Sequence, residues 1–141
     1  MAARRTAIVF FATGLLAIAS GSQARTWRVE RDGSGDFVVI QDAVDAASPG
    51  DVIQLGPGRF DEWEAFPGYP AAPVYVLVEK DLTFVGAGMG RTIVDPDDVN
   101  DHPPEQYWAM GFRIWGNGIH CAIRDLTIEN GSVVWLVTVP V

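Results

Sequence analysis

The sequence predicts an all-β fold in which short strands stack as successive turns of a solenoid, with one short helix near the amino-terminal end. After residue 50 the apolar segments are only a few residues long, and glycine or proline turns end them. Residues 81–84 (DLTF) and 125–128 (DLTI) echo each other, and each segment runs into a glycine-containing corner. A sandwich or a barrel is the alternative, but no Asn-Gly or Asp-Gly pair joins two long alternating strands, which weakens any fold built from hairpins.

The first 24 residues have the pattern of a secretory signal peptide. Arg4 and Arg5 precede an apolar run at residues 7–19, and small residues follow before position 25. The apolar run is shorter than the roughly 20 residues that span a bilayer, so a retained anchor is the second interpretation. We therefore expect residues 1–24 to be removed and residues 25–141 to form one domain, secreted or periplasmic, with no membrane contact after cleavage.

The charge of the chain limits its partners. The formal net charge is −8, and the leader holds two of the ten Lys and Arg residues but no acid, so cleavage would leave −10. Nucleic acids and anionic membranes both require a basic face, so we expect neither as a partner. Cys121 is the sole cysteine, which rules out an internal disulfide, and its apolar surroundings predict a buried thiol that acts as a small hydrophobe.

A short helix is predicted at residues 40–47. Ile40, Ala43, Val44 and Ala47 form one apolar stripe, and Gly50 suits the left-handed position beyond the helix. Two turns of helix are not stable alone, so the stripe must rest on other residues. We expect it to cover the open end of the first turn of the solenoid. Val39, at the N-cap position, has no side-chain acceptor for a backbone N–H.

Short strands are expected from residue 52 to residue 129, interrupted by two segments without any strand or helix period. The interruptions are residues 62–73 (EWEAFPGYPAAP) and the acidic, proline-containing residues 97–106. The predicted strands lie at residues 52–55, 74–78, 81–85, 92–94, 111–116, 121–123 and 125–129.

Several of these segments resemble a known family. Residues 32–37 (DGSGDF), 40–47 (IQDAVDAA) and 49–51 (PGD) resemble the amino-terminal cap of right-handed parallel β-helix proteins of the pectin lyase-like superfamily. Residues 56–62 (GPGRFDE) resemble the G-x-Y-x-E segment that follows, with phenylalanine in place of tyrosine, and residues 82–95 and 123–130 resemble later coils. The resemblance covers most of residues 29–131. It implies a right-handed parallel β-helix of about three coils with a short capping α-helix.

Among enzymes of that superfamily, the amino-terminal region of pectin methylesterases is the nearest resemblance. Those enzymes take a nucleophilic aspartate, an acid/base partner and an oxyanion-stabilising group from later coils. No stretch of this sequence resembles those motifs, so we predict no catalytic residue. The apolar segment at residues 133–141 would leave a sheet edge exposed. We therefore expect either the amino-terminal part of a longer β-helix or self-association through that end.

Aromatic residues in the two irregular segments are the predicted substrate-binding residues. Rings in exposed loops can stack on sugar rings, although they can equally fold back and cover the flank of the solenoid. The predicted residues are Trp63, Tyr69, Tyr107 and Trp108.

Three functional hypotheses follow. The first is a secreted β-helix protein that binds, and in full-length form also processes, extracellular polysaccharide. The second is part of a pectin methylesterase, a carbohydrate esterase. The third is a surface structural or adhesion solenoid without chemistry.

We predict no metal or other cofactor. Asp95, Asp97, Asp98 and Asp101 are hard oxygen ligands of the type that calcium prefers, but their spacing is not that of an EF-hand loop, so a solvated acidic loop is favoured and calcium is the alternative. The glycines at residues 86–90 are not followed by a helix, which favours corners with positive φ over a nucleotide loop.

Asn130, in the sequon Asn-Gly-Ser, is expected to bond backbone groups at a corner or to stack on a corner asparagine of the next coil.

Overall fold

A computed structural model describes residues 23–61, 74–96 and 110–136. Strand β1 (Thr26–Val29) comes first and is followed by the helix α1 (Ile40–Ala46). The other strands in these ranges are β2 (Asp51–Leu55), β3 (Gly58–Phe60), β4 (Val74–Val78), β5 (Leu82–Val85), β6 (Thr92–Val94), β7 (Met110–Trp115), β8 (Cys121–Arg124), β9 (Thr127–Ile128) and β10 (Ser132–Leu136).

The strands form three sheets, and every pairing between them is parallel. Sheet A has the order β1-β2-β5-β8, sheet B the order β3-β6-β9 and sheet C the order β4-β7-β10. From β2 onward the chain passes through sheets A, B and C in that order three times. We call each passage a round. The prediction of an all-β fold is confirmed, and its sheets are parallel.

One apolar core lies between the sheets because alternate residues of each strand point inward. In β5, Leu82 and Phe84 are buried, whereas the neighbouring Thr83 and Val85 are only half-buried. Phe84 of sheet A meets Phe112 of sheet C edge to face, with ring centroids 5.0 Å apart. The buried apolar residues of the core are Val29, Ile40, Ala43, Val44, Ala47, Ile53, Leu55, Phe60, Val76, Val78, Leu82, Phe84, Val94, Phe112 and Ile114.

The helix α1 covers one end of this core. Its apolar stripe is buried as the sequence predicted, and Val39 makes no side-chain capping bond. Gln41 completes the uncovered edge of β4: its Oε1 accepts from the Leu77 N–H at 2.8 Å, and its Nε2 donates to the Leu77 carbonyl at 3.4 Å. The helix therefore stands where a further strand of sheet C would lie.

Lys80 closes the other end of the helix. Its ammonium donates to the carbonyls of Val44 at 3.0 Å and of Ala47 at 2.9 Å, two of the acceptors that a helix leaves unsatisfied at its carboxyl end. Lys80 lies between β4 and β5, so these bonds join the helix to the connection between the first and second rounds.

Asp51 holds the start of the fold together. Its carboxylate is 4 % exposed and accepts from the Arg25 N–H at 2.8 Å, the Ser48 N–H at 2.9 Å and the Trp27 indole N–H at 3.0 Å. One buried side chain thus connects β1, the turn after α1 and β2. Because three donors depend on it, no other residue type fits this position equally well.

The glycine corner at residues 86–90 differs in part from the prediction. Gly88 and Gly90 have positive φ angles of 133° and 72°, as expected. Gly86 is needed for a different reason, because a Cβ there would lie 2.2 Å from the carbonyl oxygen of Asp125 in the next round. The segment then continues as strand β6, so no helix follows the glycines.

The two ends of the described fold differ. The inward-facing residues of the third round, including Cys121, Ile123, Leu126 and Ile128, are only partly buried. Their counterparts in the second round are buried, because they have a neighbouring round on both sides.

Among the described residues, no helix is long and apolar enough to cross a bilayer.

Candidate functional site

Both irregular segments start and end at the same corner of the fold. The first leaves sheet B after β3 and enters sheet C at β4, and the second leaves after β6 and enters at β7. Phe60 pairs with Val94 at the departure side, and Val74 pairs with Met110 at the return side. The two segments are therefore attached side by side. We call this place the insert corner.

The four predicted substrate-binding residues belong to these segments and lie outside the described residues. They are Trp63, Tyr69, Tyr107 and Trp108.

Three carboxylates line the departure side of the insert corner, one in each round. Asp61, Asp95 and Glu129 each come directly after the last residue of β3, β6 and β9. The N–H of Asp95 donates to the Phe60 carbonyl at 2.9 Å, and the N–H of Glu129 to the Val94 carbonyl at 3.0 Å. The parallel register therefore continues through this column of acids.

Arg59 ties the column together across all three rounds. It lies in the first round, and its guanidinium bonds Asp95 of the second round and Glu129 of the third, the latter at 2.6 Å between Nη2 and Oε2. The hydrogen bond to Glu129 raises the pKa of Arg59, and the nearby Asp95 and Asp61 add to this effect. Asn130 donates to Asp95 at 3.2 Å.

Arg31 supplies the second cation of the insert corner. Its Nη2 lies 3.0 Å from Asp61 Oδ1, and its guanidinium stands over the Phe60 ring with 5.8 Å to the centroid. Two arginines thus face three carboxylates. Arg59 and Glu129 remain substantially exposed, so their free edges can donate to and accept from the hydroxyls of a bound molecule, whereas Asp95 is buried and engaged.

The outer face of sheet C carries a further arginine next to the insert corner. Arg113 of β7 is 5 % exposed, although it points away from the core residues Phe112 and Ile114. Its guanidinium lies 4.3 Å from the ring centroid of Trp115, which is half-buried. The guanidinium and the ring thus pack against each other on the outer side of β7.

The sequence did not single out Arg31, Arg59, Asp61, Glu129 or Arg113. A signal for the acid column was present, because each of the three short strands of sheet B ends in an apolar residue followed by an acid. Arg59 and Glu129 are 70 residues apart in the chain, and no local pattern connects them.

The acidic loop considered for calcium is described only at its start. Asp95 is bound by Arg59 and Asn130, and Asp97, Asp98 and Asp101 lie outside the described residues. Within the described part of the chain, no group of three or more His, Cys, Asp or Glu side chains could hold a metal ion.

Asn130 occupies a corner. Its φ of 49° is left-handed, which agrees with a corner position. Its amide bonds the carboxylate of Asp95 in the preceding round, a partner that was not expected. The carboxylate is the stronger acceptor, because it is charged.

Cys121 faces inward in the third round and packs against the core, although it is half-buried rather than buried as predicted. Burial nevertheless raises the pKa of its thiol to about 11, because desolvation disfavours the thiolate. At neutral pH the side chain is a small apolar group.

Comparison with known proteins gives one informative similarity. No protein-family model matches the chain. The chain is 31% identical over 109 residues to a pectinesterase/pectinesterase inhibitor of Arabidopsis thaliana, an alignment that includes 72% of this chain. The chain spans about a fifth of the length of that relative, since the alignment covers 20% of it.

Proposed function

We propose that this chain is a secreted polysaccharide-binding protein whose ligand is pectin or a chemically similar polymer. Residues 1–24 are its signal peptide, and the three rounds are coils of a right-handed parallel β-helix of the pectin lyase-like superfamily. The parallel order of all three sheets and the shared core support this architecture. The similarity to a protein named as a pectinesterase supports the class of ligand.

The observation that carries the proposal is the shared attachment of the two aromatic segments at the insert corner. Trp63 is two residues beyond Asp61, at the departure side in the first round, and Trp108 is two residues before Met110, at the return side in the second round. Aromatic rings stack on the apolar faces of sugars, and the exposed edges of Arg59 and Glu129 bond sugar hydroxyls. An extended carbohydrate chain therefore finds both kinds of contact at one corner.

Binding to pectins of graded methyl esterification tests the proposal, with isothermal titration calorimetry or affinity electrophoresis as the measurement. We expect Trp63→Ala and Trp108→Ala each to weaken binding roughly tenfold, because each removes one stacking contact. Met89→Ala is the matched control, since Met89 is an apolar side chain 83% exposed at the glycine corner between β5 and β6, and it belongs to neither segment. Equal affinity in all three variants would contradict the proposal.

Calcium is tested in the same titrations. We expect EDTA to leave the affinity unchanged, because arginine and asparagine already occupy Asp95. A loss of affinity that added calcium restores would instead assign the acidic loop to metal binding.

Assays on pectin also distinguish two other candidate functions. The similarity to a pectinesterase favours part of a carbohydrate esterase as the second candidate, and release of methanol from methyl-esterified pectin would identify it. A structural or adhesion solenoid without chemistry predicts neither retention on pectin nor methanol release.

A further inference from the structure

The end of the leader coincides with the point where the fold begins to hold the chain. Gln23 and Ala24 are exposed and lie outside any helix or strand, and β1 starts two residues after Ala24. Arg25 is bonded through both of its backbone groups: its N–H donates to Asp51 Oδ1 at 2.8 Å, and its carbonyl accepts from the Val52 N–H at 2.8 Å. A cut between Ala24 and Arg25 therefore leaves β1 and these bonds in place.

Such a cut changes the charge of the nitrogen that faces Asp51. Hydrolysis places the hydroxyl of water on the carbonyl carbon of Ala24 and a proton on the nitrogen of Arg25. The new amine takes up a further proton at neutral pH, because α-amino groups have a pKa of about 7.7–8.0. A neutral N–H donor then becomes an α-ammonium, in the position where the carboxylate already accepts its bond.

The carboxylate of Asp51 is well placed to stabilise a cation. It is 4 % exposed, and its other bonded donors, the Ser48 N–H and the Trp27 indole N–H, are neutral. Among the charged groups of the described residues, the guanidinium of Arg25 also acts on this carboxylate, but it lies over the Trp27 ring, 3.4 Å from the centroid. A charge held by neutral donors and shielded from water gains more from a bonded cation than an exposed one does.

We propose that Arg25 is the amino-terminal residue of the processed protein and that its α-ammonium forms an ion pair with Asp51, an assignment that rests on the signal peptide of the proposed function and not on its ligand. The peptide bond between Ala24 and Arg25 is the processing site, and a signal peptidase is the enzyme that cuts it. Processing therefore stabilises the fold, because the charged terminus replaces a neutral donor at a buried carboxylate.

Two chains that differ only at the amino terminus test the ion pair. One begins at Arg25, and the other retains Gln23 and Ala24, so that the neutral N–H of Arg25 stays in the same place. Both are released from a fusion by a protease that leaves no added residue. In urea denaturation at pH 6, we expect the folding equilibrium constant of the first chain to be about tenfold higher, because a hydrogen bond from a charged donor contributes more than a neutral one.

The pH dependence of this advantage has a definite sign. The carboxylate raises the pKa of the α-ammonium, so the advantage is complete below the ordinary pKa of about 7.7 and is lost as the pH rises through the folded value. At about pH 10 we expect the two chains to be equally stable. Asp51→Asn in both chains should abolish the advantage at pH 6, and Asp42→Asn should preserve it. Equal stability at pH 6, or an advantage that survives Asp51→Asn, overturns the ion pair and leaves the signal peptide and pectin binding unaffected.

Secretion of residues 1–141 from a host cell tests the processing site. We expect amino-terminal sequencing of the exported protein to begin at Arg25. Ala24→Leu, which removes the small residue before the cut, should leave the leader attached, whereas Gln23→Leu should not. An exported chain that begins at another residue overturns the assignment of Arg25. A leader that is retained refutes the signal peptide as well, whereas pectin binding is decided separately by titration of the purified chain.

Discussion

At the scale of single residues, Asp51 is the most constrained polar group of the fold. We expect Asp51→Asn to lower the free energy of unfolding by about 1–3 kcal/mol, because an amide cannot accept from all three donors that converge on the carboxylate. Asp42→Asn, at an exposed position of α1, should change it by only a few tenths. Urea denaturation of both variants measures the difference, and equal effects would refute this role of Asp51.

The pH dependence of the unchanged chain follows from the same residue. The backbone N–H of Arg25, followed by that of Ser48, holds the pKa of Asp51 below its ordinary value of 3.8. The unfolded chain then takes up the proton first as the pH falls, so the contribution of Asp51 is complete above pH 3.8 and is lost as the pH falls through the folded pKa. In Asp51→Asn that part of the acid sensitivity should be absent.

The residue scale also shows what a sequence can predict. The apolar stripe of α1 was predictable because a period of three and four residues is local, and the poor capping by Val39 followed from its side chain alone. The need for glycine at position 86 was not predictable, because it arises from the carbonyl of Asp125 in another round. The bonds from Arg59 to Asp95 and Glu129 were not predictable for the same reason, since these partners come from distant parts of the chain.

At the scale of elements, α1 depends on contacts from outside the helix. We expect Lys80→Met to lower the free energy of unfolding by about 1–2 kcal/mol, because the carbonyls at the end of the helix lose their donor while the apolar part of the side chain is kept. Arg91→Met, at an exposed position, is the control. Thermal unfolding followed by circular dichroism measures both, and an unchanged midpoint for Lys80→Met would show that the helix needs no such closure.

Strand β3 shows where prediction of elements failed. No strand was predicted at residues 58–60, because they follow Gly56-Pro57 and are too few to show a period. They form a strand because Phe60 is buried and the segment pairs with β6 along its whole length. Strands this short are defined by their neighbours rather than by their own residues.

At the scale of the whole molecule, the rounds should differ in stability. We expect the amides of residues 121–128 to exchange with solvent faster than those of residues 82–94, because the third round has a neighbouring round on one side only among the described residues. Hydrogen exchange with mass spectrometry measures this. Uniform exchange across both segments would contradict a gradient along the stack.

The side-by-side attachment of the two irregular segments has a consequence for how such a molecule can change. The segments between β3 and β4 and between β6 and β7 differ in sequence, yet the strands on either side of them pair in register. Chain added or removed between those strands therefore leaves the hydrogen bonding of the sheets untouched. Evolution, or a protein engineer, can replace what the insert corner displays without having to redesign the sheets that display it.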